Sequence, residues 1–351
     1  MEINKRYYGD IDVAIGSKNS RFFGTGFKKV SSQISDIFIN CNNPIGFMRT
    51  EQRIIEVNDS ALGCIYAKGM LSYPEDWSKK TKGGDLKPHL STVDALNLSI
   101  QLNEMFLIYK YNLGEDDRTH IWIRKCFISA GNAPHDNLEK FDIYSICKIT
   151  ESSSETSCFY TSKFESVIGS IKVICEIDHV IKEDSSAKAS YSCLNCDELL
   201  GNTFCRLYGN GYRYSDYDIC DIKLDIENEC VENIVNIKRP GSLSLGIESG
   251  YDASISMIDS IILGGQLSQV LLYGIDKVHR DETGTIWMRK ATLVALNPFP
   301  VNMPFLATTH LTNTKVINMK DKLWRIADIC SSFGNITCNY SLAYELPSKK
   351  L

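Results

Sequence analysis

No apolar run in this 351-residue chain approaches the roughly 20 residues that cross a bilayer. The N-terminal Met1-Glu2-Ile3-Asn4-Lys5-Arg6 leads into polar sequence and lacks the apolar core of a secretory signal. A soluble, cytoplasmic protein with no membrane partner is the expectation. Basic residues are not in excess: 38 Lys and Arg stand against 43 Asp and Glu, a formal charge of −5. Nothing in that balance calls for nucleic acid or an anionic surface. A Walker-type phosphate loop and a Gly-x-Ser-x-Gly elbow are both absent, so those two routes to nucleotide and acyl chemistry have no sequence support. The 13 cysteines are odd in number and scattered, which reads as reduced thiols rather than a disulfide framework. Cys193-Leu194-Asn195-Cys196, with Cys205 and Cys220 behind it, is a weak zinc candidate, because no second close-spaced pair follows. No metal and no cofactor is expected.

What is present is an ordinary globular composition, 43% apolar and 23% charged, long enough for two domains or one two-lobed unit. It is also a duplication. The stretch His89-Leu90-Ser91-Thr92-Val93-Asp94-Ala95-Leu96-Asn97-Leu98-Ser99-Ile100-Gln101-Leu102 returns 165 residues later from Ser254 to Leu267. At the same offset Ile121-Trp122-Ile123-Arg124-Lys125 answers Ile286-Trp287-Met288-Arg289-Lys290. Residues 91–125 and 256–290 share 11 identities in 35 positions. Two copies at so long a period make an intrachain pseudo-dimer rather than a solenoid. The polar run 182–188 reads as the joint, which gives halves at 1–184 and 185–351.

An earlier motif, Arg21-Phe22-Phe23-Gly24-Thr25-Gly26-Phe27-Lys28, recurs from Arg206 to Arg213 at an offset of 185. The first half therefore holds about 20 extra residues before its helix. The sequence 74–88, with Trp77 in it, reads as the exposed loop that contains them. Aromatics around two glycines suit a strand with a tight bend more than a phosphate cradle, since β-rich sequence rather than a helix follows. Within the main repeat, Val93, Leu96, Ile100 and Leu107 fall at helical spacing, with Ser91 or Thr92 as cap. The second copy is apolar or small on nearly every side, including Ile258, Ile261, Ile262, Gly264 and Gly265, so it reads as a fully buried helix. Its two glycines suggest that a backbone packs close there. Strands are expected at 120–130, 141–150, 158–162 and 168–177, then at 285–296, 305–311, 315–319 and 335–344.

Each half thus reads as strands, one long buried helix, then more strands. Only a strongly curved antiparallel sheet buries a helix on most sides. The order resembles the hot-dog fold, and its duplication resembles a double hot-dog: α+β, with two curved antiparallel sheets joined edge to edge, each wrapping a long helix. The motifs from Arg21 and from His89 resemble those of the bacterial avirulence protein D family over most of the chain. That family is tied to syringolides, acyl-sugar lactones assembled from a β-ketoacyl unit and a pentulose, and is similar in logic to A-factor-type butyrolactone synthases. The resemblance implies a condensing or acyl-transfer enzyme. Its partners would be an acyl thioester on coenzyme A or an acyl carrier protein and a small hydroxylated acceptor, and it would act as a monomer or homodimer. Polyketide dehydratases are double hot-dogs too, but their paired His-x-x-x-Gly-x-x-x-x-Pro motif is missing: Val93 follows His89 and Glu139 follows His135 at the glycine position, and Leu263 follows Asp259 where Gln or His is wanted. A dehydratase, a thioesterase-like hydrolase and a non-catalytic acyl-binding protein remain as alternatives.

Asp94 and Gln101, seven apart, share one helix face, as do Asp259 and Gln266. An Asp at the start of a buried helix is either a first-turn carboxylate serving the helix N-terminus or a general acid/base. Both copies keep it, so the repeat does not choose. His89 is different, because Ser254 stands in its place in the second copy, and a pseudo-dimer that needs one active site is free to lose the other. The catalytic candidates are accordingly His89, Asp94 and Gln101, with Asp259, Gln266 and His310 as substrate-binding candidates. On the family's pattern, the helix N-terminus would polarise a thioester carbonyl, Asp94 or His89 would take a proton, and Gln101 would orient a substrate oxygen. Trp122-x-Arg124 and its copy could grip a phosphopantetheine, although a packed Trp with a neighbouring Arg on one strand face reads more simply.

Overall fold

The computed structural model describes residues 4–41, 46–49, 54–57, 61–75, 77–78, 87–152, 159–182 and 190–347, with backbone only at 46–49 and 54–57. In chain order the elements are β1 (Lys5–Asp10), α1 (Ile11–Ile15), β2 (Ser31–Asn40), β3 (Gly46–Arg49), β4 (Ile54–Val57), β5 (Gly63–Ser72), α2 (Thr92–Tyr111), α3 (Glu115–Thr119), β6 (Trp122–Ser129), β7 (Phe141–Ser152), β8 (Phe159–Ile168) and β9 (Ile171–Val180). The second half follows with β10 (Ser190–Asn195), α4 (Asp197–Leu200), β11 (Asp216–Asp225), β12 (Cys230–Lys238), α5 (Met257–Asp276), β13 (Trp287–Val294), β14 (Phe305–Met319), β15 (Lys322–Phe333) and β16 (Ile336–Glu345).

Fourteen strands form one sheet in the order β1-β11-β12-β14-β15-β16-β13-β6-β9-β8-β7-β5-β2-β10, and β3–β4 is a separate hairpin. The two expected sheets are one, because β13 and β6 pair antiparallel from Lys290↔Ser129 to Val294↔Lys125 and carry the hydrogen bonding across the centre. On either side of that seam lie the strands of one half and their long helix, except at the outermost position, where each side ends on a strand of the other half. The helix α2 packs on β2, β5, β7, β8 and β9, α5 packs on β11, β12, β14, β15 and β16, and the helices touch each other.

Both helices begin with the same capping box. Ser91 Oγ accepts from Asp94 N at 3.1 Å while Asp94 accepts from Ser91 N at 3.4 Å; Ser256 and Asp259 repeat this at 3.2 and 3.0 Å. Both end on a left-handed residue, Asn112 and Lys277, each at φ 52°. Every residue of α2 from 93 to 107 is buried, polar ones included. Strand and loop partners make that tolerable: Asn97 donates to Gly209 O at 2.9 Å, Ser99 to Ser166 at 2.8 Å, and Asn103 accepts from Ser145 at 2.6 Å. By length and composition α5 could cross a membrane, but the sheet and α2 cover it, which is why a soluble-type core tolerates a helix apolar on all sides.

The edges show an exchange between the halves. β1, from the start of the chain, pairs with β11 of the second half, and β10, 185 residues later, pairs with β2 of the first. The repeated Arg motif travels with each arm. Arg21 donates to Gln266 on α5 at 2.6 Å and also binds Asp12, while Arg206 donates to Gln101 on α2 at 3.1 Å and to Asp197 at 2.8 Å. Each half thus clasps the other's helix by the same Arg–Gln hydrogen bond.

Several expectations need correcting. The Arg motif is a turn-rich loop ending in a 3-10 helix, at Phe27–Lys29 and again at Gly211–Tyr214, rather than a strand. Its first glycine serves a tight bend: a Cβ on Gly24 would stand 1.7 Å from Lys18 O, and one on Gly209 2.4 Å from Thr203 O. The extra residues of the first half lie elsewhere, between β2 and β5 (41–62), where β11 and β12 are joined by 226–229 alone. Trp77, placed on an exposed loop by its neighbours, is 3% exposed; residues 79–86 of that loop lie outside the described set. The segments 305–311 and 315–319 are one strand, and β15 was missed. Gly264 and Gly265 of α5 meet aromatic side chains, not a backbone: a Cβ on Gly264 would fall 2.2 Å from the Tyr340 hydroxyl, which itself donates to Ser260 O at 3.0 Å.

Candidate functional site

A cavity of about 730 Å³ opens at the meeting of the two halves. One wall is α5, through Ile261, Gly265, Gln269 and Tyr273. Strands β14–β16 border it next, through Leu342 of the inner face and Ile326 of the alternate face. Phe22 and Phe23 of the exchanged first arm, together with Trp77, form a third. At its head lie His89 and Leu90 to Val93, the entry and first turn of α2, faced by Trp287 and Met288 of β13.

The capping box leaves a specific vacancy in that first turn. Ser91 Oγ takes up the Asp94 N–H, so the N–H groups of Thr92 and Val93, the first two residues of the helix, have no acceptor within it. They sit where the macrodipole is positive and where the cavity begins. In the same turn of α5, Met257 is buried where Thr92 is partly exposed, while Ile258, like Val93, is buried.

His89 is half-buried in the cavity wall. Its Nδ1 lies 3.1 Å from Lys87 O, a carbonyl that can only accept, so in the neutral ring Nδ1 carries the hydrogen and Nε2 the lone pair. The imidazole packs 5.0 Å from Trp287 and 6.3 Å from Trp77, centroid to centroid. Those rings fix its orientation and keep one side apolar. His135 lines the same end of the cavity, and its carbonyl accepts from Leu90 N at 3.0 Å, which ties the β6–β7 loop to the entry of α2. Burial pulls the His135 imidazole below its ordinary range, partly offset by a hydrogen bond to the Asn137 backbone.

The other candidates lie apart from the cavity lining. Asp94 is fully buried beneath the first turn, held by Arg213 Nη2 at 2.6 Å, Ser91 Oγ at 2.5 Å and the Tyr73 hydroxyl. Asp259 repeats the pattern with Ser256 Oγ at 2.7 Å, Tyr217 at 2.8 Å and Arg239. Gln101 and Gln266 are buried in the Arg clasps and also donate to Asn97 O and Ile262 O, each at 3.4 Å. His310 is exposed in β14. Of the six candidates, the structure brings His89 to the cavity. Among the described residues no group of three or more His, Cys, Asp or Glu is arranged to hold a metal ion.

The corresponding space of the first half is filled. Gly265 is answered by Ile100, Gln269 by Glu104 and Phe23 by Tyr208, all buried to 1% exposure or less. Glu104 pairs with Arg118 at 2.9 Å, and Tyr208 donates to Glu248 at 2.8 Å. Glu248 also accepts from Ile123 N at 3.1 Å, and burial pushes its carboxyl up to about 8. Sequence reasoning missed Phe22, Phe23 and Gly265 as cavity walls. The signal was in the copies all along, as an aromatic against Leu207, and a glycine against Ile100. The Trp motif is also asymmetric: Trp122 is buried and donates to Ala295 O at 2.7 Å, while Trp287 lines the cavity. A bulge after Ile123 and after Met288 breaks the strand alternation expected there.

Comparison with known proteins adds the following. The model of the Pseudomonas avirulence D protein family matches residues 6–347. No curated protein matches the sequence. Among solved structures, a 12:0-ACP thioesterase from Umbellularia californica shares 9% identity, with 72% of this chain and 87% of that one covered at a TM-score of 0.37. A putative MaoC domain dehydratase from Chloroflexus aurantiacus shares 10%, covering 74% and 82% at 0.38. A conserved protein from Mycobacterium tuberculosis, described as having a double hotdog fold, shares 7%, covering 73% and 82% at 0.38.

Proposed function

The chain belongs to the Pseudomonas avirulence D protein family, and from that premise and the geometry of the cavity we propose that it transfers a β-ketoacyl group from a thioester to a small hydroxylated, sugar-like acceptor. The observation that carries the proposal is the convergence of His89 and the unfilled N–H groups of α2 on the head of one large, mostly apolar cavity. A volume of about 730 Å³ is in the range of small-molecule sites.

The acyl chain lies along α5 and the thioester carbonyl oxygen sits against the N–H groups of Thr92 and Val93. His89 Nε2 takes the proton of an acceptor hydroxyl as its oxygen attacks the carbonyl carbon. The two N–H groups hold the resulting oxyanion, each such donor being worth about 3–4 kcal/mol of barrier in other enzymes. The C–S bond then breaks, the sulfur leaves with the proton from His89, and an ester and a free thiol remain. Asp94 serves as a positioning residue, since its hydrogen bonds fix the first turn of α2. Gln101 and Gln266 position the exchanged arms, and Gln266 does so through Arg21, next to Phe22 and Phe23.

The test is to incubate the protein with a β-ketoacyl thioester with and without a polyhydroxylated acceptor, following thiol release and product mass. Transfer predicts thiol release that depends on acceptor, with an acyl-acceptor ester among the products. Release at the same rate without acceptor would replace this reading by the thioesterase-like one.

A further inference from the structure

The cavity wall on α5 runs through Ile261, Gly265, Gln269 and Tyr273, a stripe about 18 Å long at 1.5 Å per residue. Three of these positions carry side chains, and at Gly265 the wall is recessed. A Cβ there would meet the Phe23 ring alone, with Cε2 at 3.0 Å. Gly264 beside it is different in kind, since its Cβ would strike the Tyr340 ring of the core. From His89 an unbroken aromatic wall leads to this point: Trp77 at 6.3 Å, then Phe22 at 5.0 Å, then Phe23 at 4.7 Å.

The duplication supplies the comparison. In the other half the same scaffold carries Ile100 for Gly265 and Tyr208 for Phe23, both buried, and the strip is packed. We propose that the Phe23 ring, seated against Gly265, sets the length of acyl chain the protein accepts; this rests on the acyl-thioester reading above. A tail entering past His89 follows Phe22 and stops where Phe23 packs on Gly265. A side chain at position 265 drives the ring into the cavity and shortens the path, and a smaller residue at position 23 lengthens it.

The experiment uses the full chain, a polyhydroxylated acceptor and β-ketoacyl-pantetheine thioesters of graded length, reading binding by calorimetry and turnover by thiol release. Gly265→Ile, which copies the closed half, is expected to lower kcat/KM for the longest chains by about 10-fold or more relative to the shortest. Phe23→Leu is expected to shift the profile toward longer chains. Folded variants with the wild-type length profile would overturn the inference. If Gly265→Ile does not fold, Phe23→Leu decides alone: a shift to longer chains supports it and an unchanged profile overturns it. Wild-type protein that neither binds nor cleaves any member of the series would instead remove the acyl-thioester reading, and the inference with it.

Discussion

Replacing His89 by Ala is expected to lower turnover of the acyl thioester by about 10²–10⁴-fold, the usual contribution of a positioned acid/base group, with little loss of stability. The ring is half-buried and makes one hydrogen bond, Nδ1 to Lys87 O. Its removal therefore takes away a proton carrier and some contact with Trp77 and Trp287 rather than a core element. The fall should appear in kcat, with KM nearly unchanged, because the acyl chain is held by α5 and the aromatic wall. Steady-state kinetics beside a thermal melt separate the two effects. Full activity in a folded His89→Ala protein would leave the helix N-terminus without a catalytic partner and remove the assigned mechanism.

The second large effect is on folding. Arg213→Met should lower the free energy of unfolding by about 3–5 kcal/mol, because it strips the cation from a fully buried carboxylate. Asp94 and Arg213 are each at 0% side-chain exposure, 2.6 Å apart, and no solvent can replace the lost partner. The guanidinium also stands 4.8 Å from the centroids of Phe27 and Tyr212, whose faces supply part of the solvation that its remaining N–H groups have lost. Arg213→Met combined with Asp94→Asn should recover part of the loss, since the charge is then gone from both sides. Urea unfolding measures both. An exposed pair such as Lys238 and Asp218, 65% and 54% exposed, is the contrast, worth little because water already solvates both charges. A loss of that small size at Arg213 would mean the pair does not hold the α2 entry as described.

Some of this was legible in the sequence and some was not, for identifiable reasons. The duplicated helices were readable because Ser91/Ser256 and Asp94/Asp259 are capping-box residues and the apolar positions repeat around them. Gly169 and Gly334, which have positive φ in both copies, were legible as a matched pair but not as the turns of hairpins β8–β9 and β15–β16: the expected strand 168–177 ran through the first, and β15 was missed. The β14–β15 turn was hidden as well, because its two left-handed residues are Lys320 and Asp321, a pair without the usual Asn-Gly signature. His89 stood out by the asymmetry between copies, and the structure places it in the cavity wall. Asp94 and Gln101 looked like chemistry because polar groups on a buried helix are costly. Their partners, Arg213 and Arg206, come from the other half of the chain, and one-dimensional spacing carries no sign of an exchanged arm. The seat of Phe23 in the cavity wall depends on a missing side chain at Gly265, and an absence becomes informative only beside Ile100.

The most direct measurement is a crystal structure with a hydrolysis-resistant β-ketoacyl-pantetheine analogue in which the reacting carbonyl is kept. The account predicts the acyl tail along α5, ending against Phe23 where that ring sits on Gly265. It also places the carbonyl oxygen within about 3 Å of the Thr92 and Val93 N–H groups, with His89 Nε2 on the side open to the acceptor. A tail bound elsewhere, or a carbonyl directed away from the first turn of α2 with His89 out of reach, would contradict it.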